Sequence, residues 1–339
     1  MSQDNVIILA IETSCDDTCA AISYNGSIKS NVILTQKIHD TYGGVVPEIS
    51  AREHLRLLPQ AIEQALKQSN TTLQQLSAIA FTYGPGLQGP LLVGMSYAKG
   101  MALGLNLPLI PINHLKGHIH AAKIDNDIQE PFLSLLISGG NTMIVKVDTN
   151  DTYTILSQTV DDAIGEAYDK IAKILQLEYP GGKHIDMLAK KGKKHAYTFP
   201  STKISEDKFS FSGIKTAFKN FITQHQTTNP NFIQENIHDI CASIQDNLLN
   251  TLIHKLTIFI EKENINTITI GGGVAANEEL KLKLQHLSKS KNVNIFIPQQ
   301  QYCVDNAAMI ANCAYGKYIK KQFCDFNYKT KPQATIEKD

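Results

Sequence analysis

The stretch VIILAIETSCDDTCAAIS, Val6 to Ser23, decides the fold. Val6 to Ile11 is an apolar run, mostly β-branched, and reads as a buried strand. Thr13-Ser14-Cys15-Asp16-Asp17 interrupts it, Cys19 to Ser23 resumes it, and Asn25-Gly26 signals a turn. The same strand, polar turn, strand pattern returns about 125 residues later in FLSLLISGGNTMIVKV, Phe132 to Val147. Its turn is Ser138-Gly139-Gly140-Asn141-Thr142, and a third short strand, Tyr153 to Thr159, follows. Two hairpins of one design predict a duplicated lobe.

After each hairpin the pattern changes to alternating helix and strand. Arg52 to Lys67 carries Leu55, Leu58, Ile62 and Leu66 at helical spacing, Ile79 to Thr82 reads as a strand, Leu91 to Leu105 as a helix and Leu109 to Ile112 as a strand. In the second half Ala163 to Leu175, Ile237 to Ile260, Glu278 to Leu287 and Asn306 to Tyr318 read as helices. Thr267 to Ile270 and Val293 to Ile297 read as strands between them. A hairpin followed by such units predicts an α/β lobe with a mixed sheet. Tyr179 to Asn236 breaks the rhythm and reads as an insertion without clear periodicity. Within it, Lys183 to Lys219 holds nine lysines against three acids, a local charge of +6.

The whole chain of 339 residues is electrically neutral, with 32 basic and 32 acidic side chains. That argues against a polyanion binder over the whole surface and leaves room for a local basic patch. Hydrophobic residues at 42% exclude long disorder. At roughly 150 residues per domain the length fits two lobes. The six cysteines contain no C-x-x-C pair, so neither a zinc ribbon nor a disulfide framework is expected. With no basic leader at the start and no run of about 18 apolar residues, a cytoplasmic protein without a membrane span is expected.

His114 and His118 stand four apart, so on a helix both imidazoles can reach one ion. The bland alternative is a pair of surface or capping histidines. Leu115 follows the first histidine where the metalloprotease motif needs Glu, so that reading fails. A third ligand has to come from elsewhere, and Asp305, at the start of the closing helix, is a candidate. His120 points off the shared face. Four loops, Thr13 to Asp17, Gly84 to Gly89, Ser138 to Thr142 and Gly271 to Asn277, can turn backbone N–H groups toward an anion. None is a P-loop or a dinucleotide fingerprint. Together they predict a nucleotide held in a cleft between two lobes. Asp161 and Asp162 read as caps of the helix that follows them, whereas Asp169 lies too deep in that helix to cap it.

Taken together, these motifs resemble the TsaD family, the tRNA threonylcarbamoyladenosine transferases formerly labelled glycoproteases. The matching stretches are IETSCDDT (Ile11 to Thr18), GGVVPEISAREH (Gly43 to His54), GPGLQGPLLVG (Gly84 to Gly94), NHLKGHIHA (Asn113 to Ala121) and LISGGNT (Leu136 to Thr142). They continue with DDAIGEAYDKIAKIL (Asp161 to Leu175), YPGGKHID (Tyr179 to Asp186), FSFSGIKTA (Phe209 to Ala217), GGGVAAN (Gly271 to Asn277) and VDNAAMIA (Val304 to Ala311). The resemblance implies an actin/sugar-kinase-like (ASKHA) α/β fold of two duplicated RNase H-like lobes with a cleft between them. It divides the chain into residues 1–125 plus 305–339 and residues 126–304, with the insertion at about 179–236.

It also implies transfer of a threonylcarbamoyl group from threonylcarbamoyl-AMP to N6 of the adenosine 3′ of the anticodon, in tRNAs reading codons that begin with A. By family pattern His114, His118 and Asp305 would hold one divalent ion, iron or zinc. Ile137, Ser138, Gly139, Gly140, Asn141, Asp169, Gly182, Asp186 and Asn277 would line the adenylate site, and Glu12 and Asp16 would sit at the reacting end as catalytic groups. A TsaB-like paralogue and a TsaE-like ATPase are the partners it implies. Two features depart from the pattern: Asn141 replaces the usual His of S-G-G-H-T, and the chain ends KTKPQATIEKD without the common Pro-Arg-Trp-type tail. The alternatives are an ATP-dependent small-molecule kinase of the same superfamily and a non-catalytic scaffold paralogue. The His114/His118 pair argues against the kinase, since magnesium prefers oxygen ligands.

Overall fold

The computed structural model describes residues 5–42, 44–200 and 205–337. Gly43 of the second matching stretch and Lys203 of the basic segment lie outside the described residues. The chain divides into two compact units, Met1–Asp127 with Pro298–Asp339, and Ile128–Ile297.

Unit 1 begins with β1 (Ile7–Glu12), β2 (Asp17–Tyr24) and β3 (Ser27–Thr35), an antiparallel meander. It continues with α1 (Pro47–Gln68), β4 (Ala78–Gly84), α2 (Gln88–Leu105), β5 (Leu109–Asn113) and α3 (His114–His120). The sheet order is β3-β2-β1-β4-β5, with β4 parallel to both β1 and β5. Every residue of β1 is buried because both sheet faces are covered. Its side chains alternate: Ile7, Leu9 and Ile11 pack with Leu58, Ile62 and Met95 of α1 and α2, whereas Ile8 and Ala10 face the opposite layer.

Unit 2 repeats the plan. It runs β6 (Phe132–Ile137), β7 (Thr142–Asp148), β8 (Thr152–Thr159), α4 (Ile164–Ile174), α5 (Gly181–Ala189), β9 (Lys208–Phe209), α6 (Ser212–Thr228), α7 (Phe232–Glu263), β10 (Thr267–Gly271), α8 (Glu278–Lys291) and β11 (Asn294–Phe296). Its sheet order is β11-β10-β6-β7-β8-β9, the unit 1 order with β9 added at the edge. The chain then returns to unit 1 with α9 (Gln300–Cys303) and α10 (Ala307–Ile319). Tyr302 and α10 residues Ala307, Met309 and Ile310 form the second layer of the unit 1 core. Residues 298–304 therefore belong with unit 1, not with the second lobe as the sequence boundary at 304/305 had them.

Two further expectations are corrected. The segment 179–236 is not an irregular insertion: it holds α5, β9, α6 and the first turn of α7, and Phe209, Phe211 and Phe218 are fully buried. Nor does either Asp161 or Asp162 cap α4, whose first turn has no side-chain cap. Asp161 instead accepts from the hydroxyls of Ser210 (2.6 Å) and Ser212 (2.7 Å) and from the Phe211 amide (2.9 Å), so it serves the start of α6. Asp162 pairs with Lys170 and Lys215. Among the described residues no helix is long and apolar enough to cross a membrane.

Candidate functional site

In unit 1 the end of β5 turns directly into α3. Asn113 caps the helix, accepting from the amides of Leu115 (2.9 Å) and Lys116 (3.3 Å). His114 and His118 then lie on one face, ring centroids 4.7 Å apart and planes at 89°. Asp305, immediately before the Asn306 cap of α10, completes the group. One carboxylate oxygen is 3.0 Å from His118 Nε2 and 3.5 Å from His114 Nε2. The three donor atoms lie within 4.8 Å of one another.

Glu12, at the end of β1, stands behind this group and is wholly buried. Its Oε2 is 3.2 Å from His114 Nδ1 and accepts from the Thr82 hydroxyl, while its Oε1 accepts from the Ser14 amide at 2.5 Å. Ser14 Oγ is also 3.1 Å from His114 Nδ1. Burial works against a charged His114, but Asp305 and Glu12 outweigh it and lift its pKa to about 9. Burial would raise Asp305, yet His114 and His118 hold it at about 2. Burial pushes Asp17 up to about 7, helped by the negative charges of Asp305, Asp16 and Glu12. A dense acidic field around two imidazoles is a setting that favours a cation.

The residues fit a divalent ion on their own chemistry. Two imidazole nitrogens and one carboxylate oxygen converge, a donor set that suits zinc or iron and leaves positions open. The Glu12 carboxylate on His114 Nδ1 would keep a proton there once an ion displaces the one on Nε2, leaving the Nε2 lone pair for the ion, as outer partners of metal-binding histidines do. Glu12 thus sits behind His114, on its Nδ1 side, and not among the three converging donor atoms. Asp16 is half-buried in the turn between β1 and β2. The carbonyl of its neighbour Cys15 is held by Ser50 Oγ (2.5 Å) and His54 Nε2 (3.0 Å). His54 in turn meets Thr18 Oγ1 at 2.8 Å. Sequence reasoning passed over Ser14, Thr82 and His54; His54 closes the quoted GGVVPEISAREH stretch, which was the available signal.

In unit 2 the turn after β6 is tied to itself. The Ser138 amide donates to the Asn141 carbonyl (2.9 Å), and the Asn141 side-chain amide donates to Ser138 Oγ (3.3 Å). The turn leans on the start of α4, where the Glu166 amide donates to Gly139 O (3.2 Å). A Cβ on Gly165 would come within 2.8 Å of Gly139 Cα and Ser138 O. Gly272, at φ +92°, abuts the end of β6; its Cβ would lie 2.5 Å from Ile137 O. Gly139 and Gly140 are exposed and their Cβ positions meet open space, so the fold itself does not demand them.

Asp186 of α5 accepts from Gln245 Nε2 (3.1 Å), and Gln245 Oε1 accepts from Asn277 Nδ2 (2.9 Å). Asn277 Oδ1 also caps α8 through Leu280 N. Asp186 and Asn277 are thereby joined through buried Gln245, which the apolar periodicity of α7 had hidden. Asp169 does cap a helix, though not its own: it accepts from Gly181 N at 2.8 Å, at the start of α5 and beside Gly182. Burial raises its carboxyl above the usual range and the Gly181 amide opposes that.

A chain of two α/β units sharing one five-strand order, one of them bearing a His–His–carboxylate group, has the actin/sugar-kinase-like architecture. Solved structures of that fold match it: HypF from T. kodakarensis (TM-score 0.63, 13% identity, 94% of this chain and 48% of that chain). The activator of the 2-hydroxyisocaproyl-CoA dehydratase from Clostridium difficile also matches (TM-score 0.52, 15% identity, 95% and 99%). At these identities the likeness shows the fold alone. The sequence signature of TsaD, tRNA N6-adenosine threonylcarbamoyltransferase, matches residues 27–312, and the chain belongs to that family. It is 47% identical to the enzyme of that name from Christiangramia forsetii over 331 residues, 96% of this chain and 97% of that one. It is 43% identical to that from Clostridium beijerinckii, with 98% and 99% covered. These relatives favour a transferase over the kinase and scaffold alternatives.

Proposed function

We propose that this chain transfers the threonylcarbamoyl group of threonylcarbamoyl-AMP to N6 of adenosine 37 in tRNAs reading ANN codons, giving t6A and AMP. The observation that carries the reading in the structure is the His114–His118–Asp305 group with Glu12 behind it. Family membership supports a tRNA adenosine as acceptor and a threonylcarbamoyl group as cargo.

The donor is a mixed anhydride, so no strong nucleophile is needed. The N6 lone pair attacks the carbonyl carbon, the C–O bond to the phosphate breaks, and AMP leaves with that electron pair. The amine must lose a proton, and Asp16 is assigned as its acceptor. When bound, an iron or zinc ion held by His114, His118 and Asp305 would offer open positions to substrate oxygens and offset negative charge. Glu12 keeps His114 in the ligating tautomer and is a positioning residue. In unit 2 the backbone N–H groups of Gly139, Gly140 and Asn141 are assigned to phosphate, with Ile137 and Ser138, whose own amide closes the turn onto the Asn141 carbonyl, beneath them. Asp169, Gly182, Asp186 and Asn277 are assigned to the nucleoside. Asn141 keeps hydrogen-bonding capacity where the family has an imidazole.

The basic segment from Lys183 to Lys219 is assigned to part of the tRNA footprint. Lys190, Lys191 and Lys193 are exposed, whereas Lys194 and Lys215 spend charge on Glu279 and Asp162. A TsaB-like paralogue and a TsaE-like ATPase are the assigned partners, and the cytoplasm the compartment. The test is reconstituted transfer onto an unmodified tRNA transcript from synthesised threonylcarbamoyl-AMP, with and without metal. Absence of t6A with loaded protein and partners present would refute the proposal.

A further inference from the structure

The chain beyond α10 carries none of the candidate site residues, yet it is bound closely along unit 1. The Cys324 amide donates to Leu109 O (3.0 Å), Lys99 Nζ to Tyr328 O (2.6 Å) and the Lys331 amide to Tyr83 O (2.8 Å). The Tyr328 ring meets Tyr83 edge-on at 5.6 Å. Gly84, at φ +152°, exists in a form that receives this segment, since a Cβ there would lie 1.9 Å from Lys331 O. Ile336 is 1% exposed, so the end of the strap is anchored by an apolar side chain.

The last link is polar. Asn113 Nδ2 donates to Thr335 O at 3.1 Å, while Asn113 Oδ1 accepts from the first amides of α3. One side-chain amide therefore holds the strap with its nitrogen and the histidine helix with its oxygen. Capping alone does not select Asn, because Asp and Ser cap as well; only Asn adds a donor for Thr335. α3 has seven residues, too few to fix its own geometry, and His114 is its first. A second route runs through Gly86, whose amide donates to Pro332 O (3.1 Å), and Leu87, whose amide donates to Ser14 O (2.8 Å). Ser14 touches His114.

We infer that the C-terminal strap, Tyr328 to Ile336, positions the metal centre, holding His114 and His118 in place through Asn113. The inference rests on the metal reading of the His114–His118–Asp305 group. Two variants test it. Asn113→Asp keeps the cap and removes the donor to Thr335; deletion of residues 333–339 removes the end of the strap. Zinc and cobalt(II) affinity is measured by competition with a chromophoric chelator, together with the cobalt absorption spectrum. Hydrogen exchange of residues 114–120 is followed in metal-free protein.

Both variants should bind metal about 10-fold to 100-fold more weakly, the range for loss of an outer partner. They should also show a changed cobalt spectrum and faster exchange in α3. A strap that merely stabilises the fold would lower the melting temperature and move none of these. Affinity within twofold of wild type, an unchanged spectrum and unchanged exchange in Asn113→Asp would overturn the inference. If the truncated chain does not fold, the full-length Asn113→Asp protein decides. If wild type binds neither metal, the metal reading fails by itself, and unchanged α3 exchange in Asn113→Asp then refutes the strap separately.

Discussion

Glu12→Gln exchanges one carboxylate oxygen for an NH2 at nearly constant volume, yet the structure leaves the amide no good orientation. Glu12 Oε1 accepts from the Ser14 amide, and Oε2 faces the Thr82 hydroxyl and His114 Nδ1. If the Gln oxygen takes the Ser14 amide, its NH2 faces His114 Nδ1 and asks that nitrogen to accept. The imidazole proton then moves to Nε2, the atom 3.5 Å from Asp305, and Nε2 loses the lone pair a metal needs. If the amide turns over, two N–H donors meet at Ser14 in a fully buried place, at about 1–3 kcal/mol.

The expected result is a 10-fold to 100-fold loss of metal affinity, about 1.4–2.7 kcal/mol. The sign with pH follows from His114. Its pKa of about 9 keeps it protonated at neutral pH, and the metal must displace that proton. Removing the Glu12 charge lowers His114 and eases the competition, so the loss in the variant should be larger at pH 9 than at pH 7. Chelator competition at both pH values measures it, with urea unfolding as the check on the fold. A folded Glu12→Gln protein with wild-type affinity at pH 9 would refute the tautomer argument.

Four other outcomes are expected. Asp161→Ala should cost about 1 kcal/mol in urea unfolding by uncapping α6, the low end because the carboxylate is exposed; its folded pKa is depressed, so the contribution is present above the unfolded value of about 3.9 and vanishes as pH falls through the folded value. A gap between wild type and Asp161→Ala that persists undiminished at the lowest pH would contradict that. Gly165→Ala should push the Ser138–Asn141 turn off its position and weaken binding of a non-hydrolysable adenylate analogue at least tenfold in a protein that still folds; unchanged binding by calorimetry counts against the phosphate assignment. Asp16→Asn should lower kcat by about 10²-fold or more with tRNA and adenylate binding intact, and undiminished transfer would remove Asp16 as proton acceptor. Lys190→Glu with Lys193→Glu should weaken tRNA binding and flatten its salt dependence; filter binding at several salt concentrations that shows neither change retires the footprint.

What could be read from the residues depended on how local the cause was. β1 and β6 are buried throughout and appear as uninterrupted apolar runs. β3 is a half-exposed edge of mixed polarity, SIKSNVILT, and its pattern carries no period to read. α5 opens on Gly181-Gly182, poor helix formers, and is held by Asp169 twelve residues away. The histidine pair is visible because four residues is one helical turn. The roles of Glu12 and Asp161 are set by partners 102 and about 50 residues distant, and no local rule reaches that far. Asp169 illustrates the limit well: depth inside its own helix excluded capping there, and the cap it makes belongs to the next helix.

The duplication gives the difference between the two units its meaning. Both build the same five-strand order, and in both the turn after the first strand of the hairpin emerges from a fully buried strand. Backbone geometry at that turn is therefore inherited, and side chains are free to diverge. In unit 1 the turn carries Asp16 and begins at Glu12, beside two histidines, and concentrates negative charge where a cation fits. In unit 2 it carries Ser138, Gly139, Gly140 and Asn141, no charge at all, with glycines that the packing does not require. Glycines at positions where a Cβ would meet nothing leave the backbone open to close approach, and an uncharged turn of N–H groups suits an anion. On the proposed reading, one scaffold carries a cation site in one unit and an anion site in the other. Under the proposed function a chain of zero net charge handles a phosphorylated donor and a polyanionic acceptor through local fields, and salt should act strongly on tRNA binding and weakly on the buried Glu12–His114 contact.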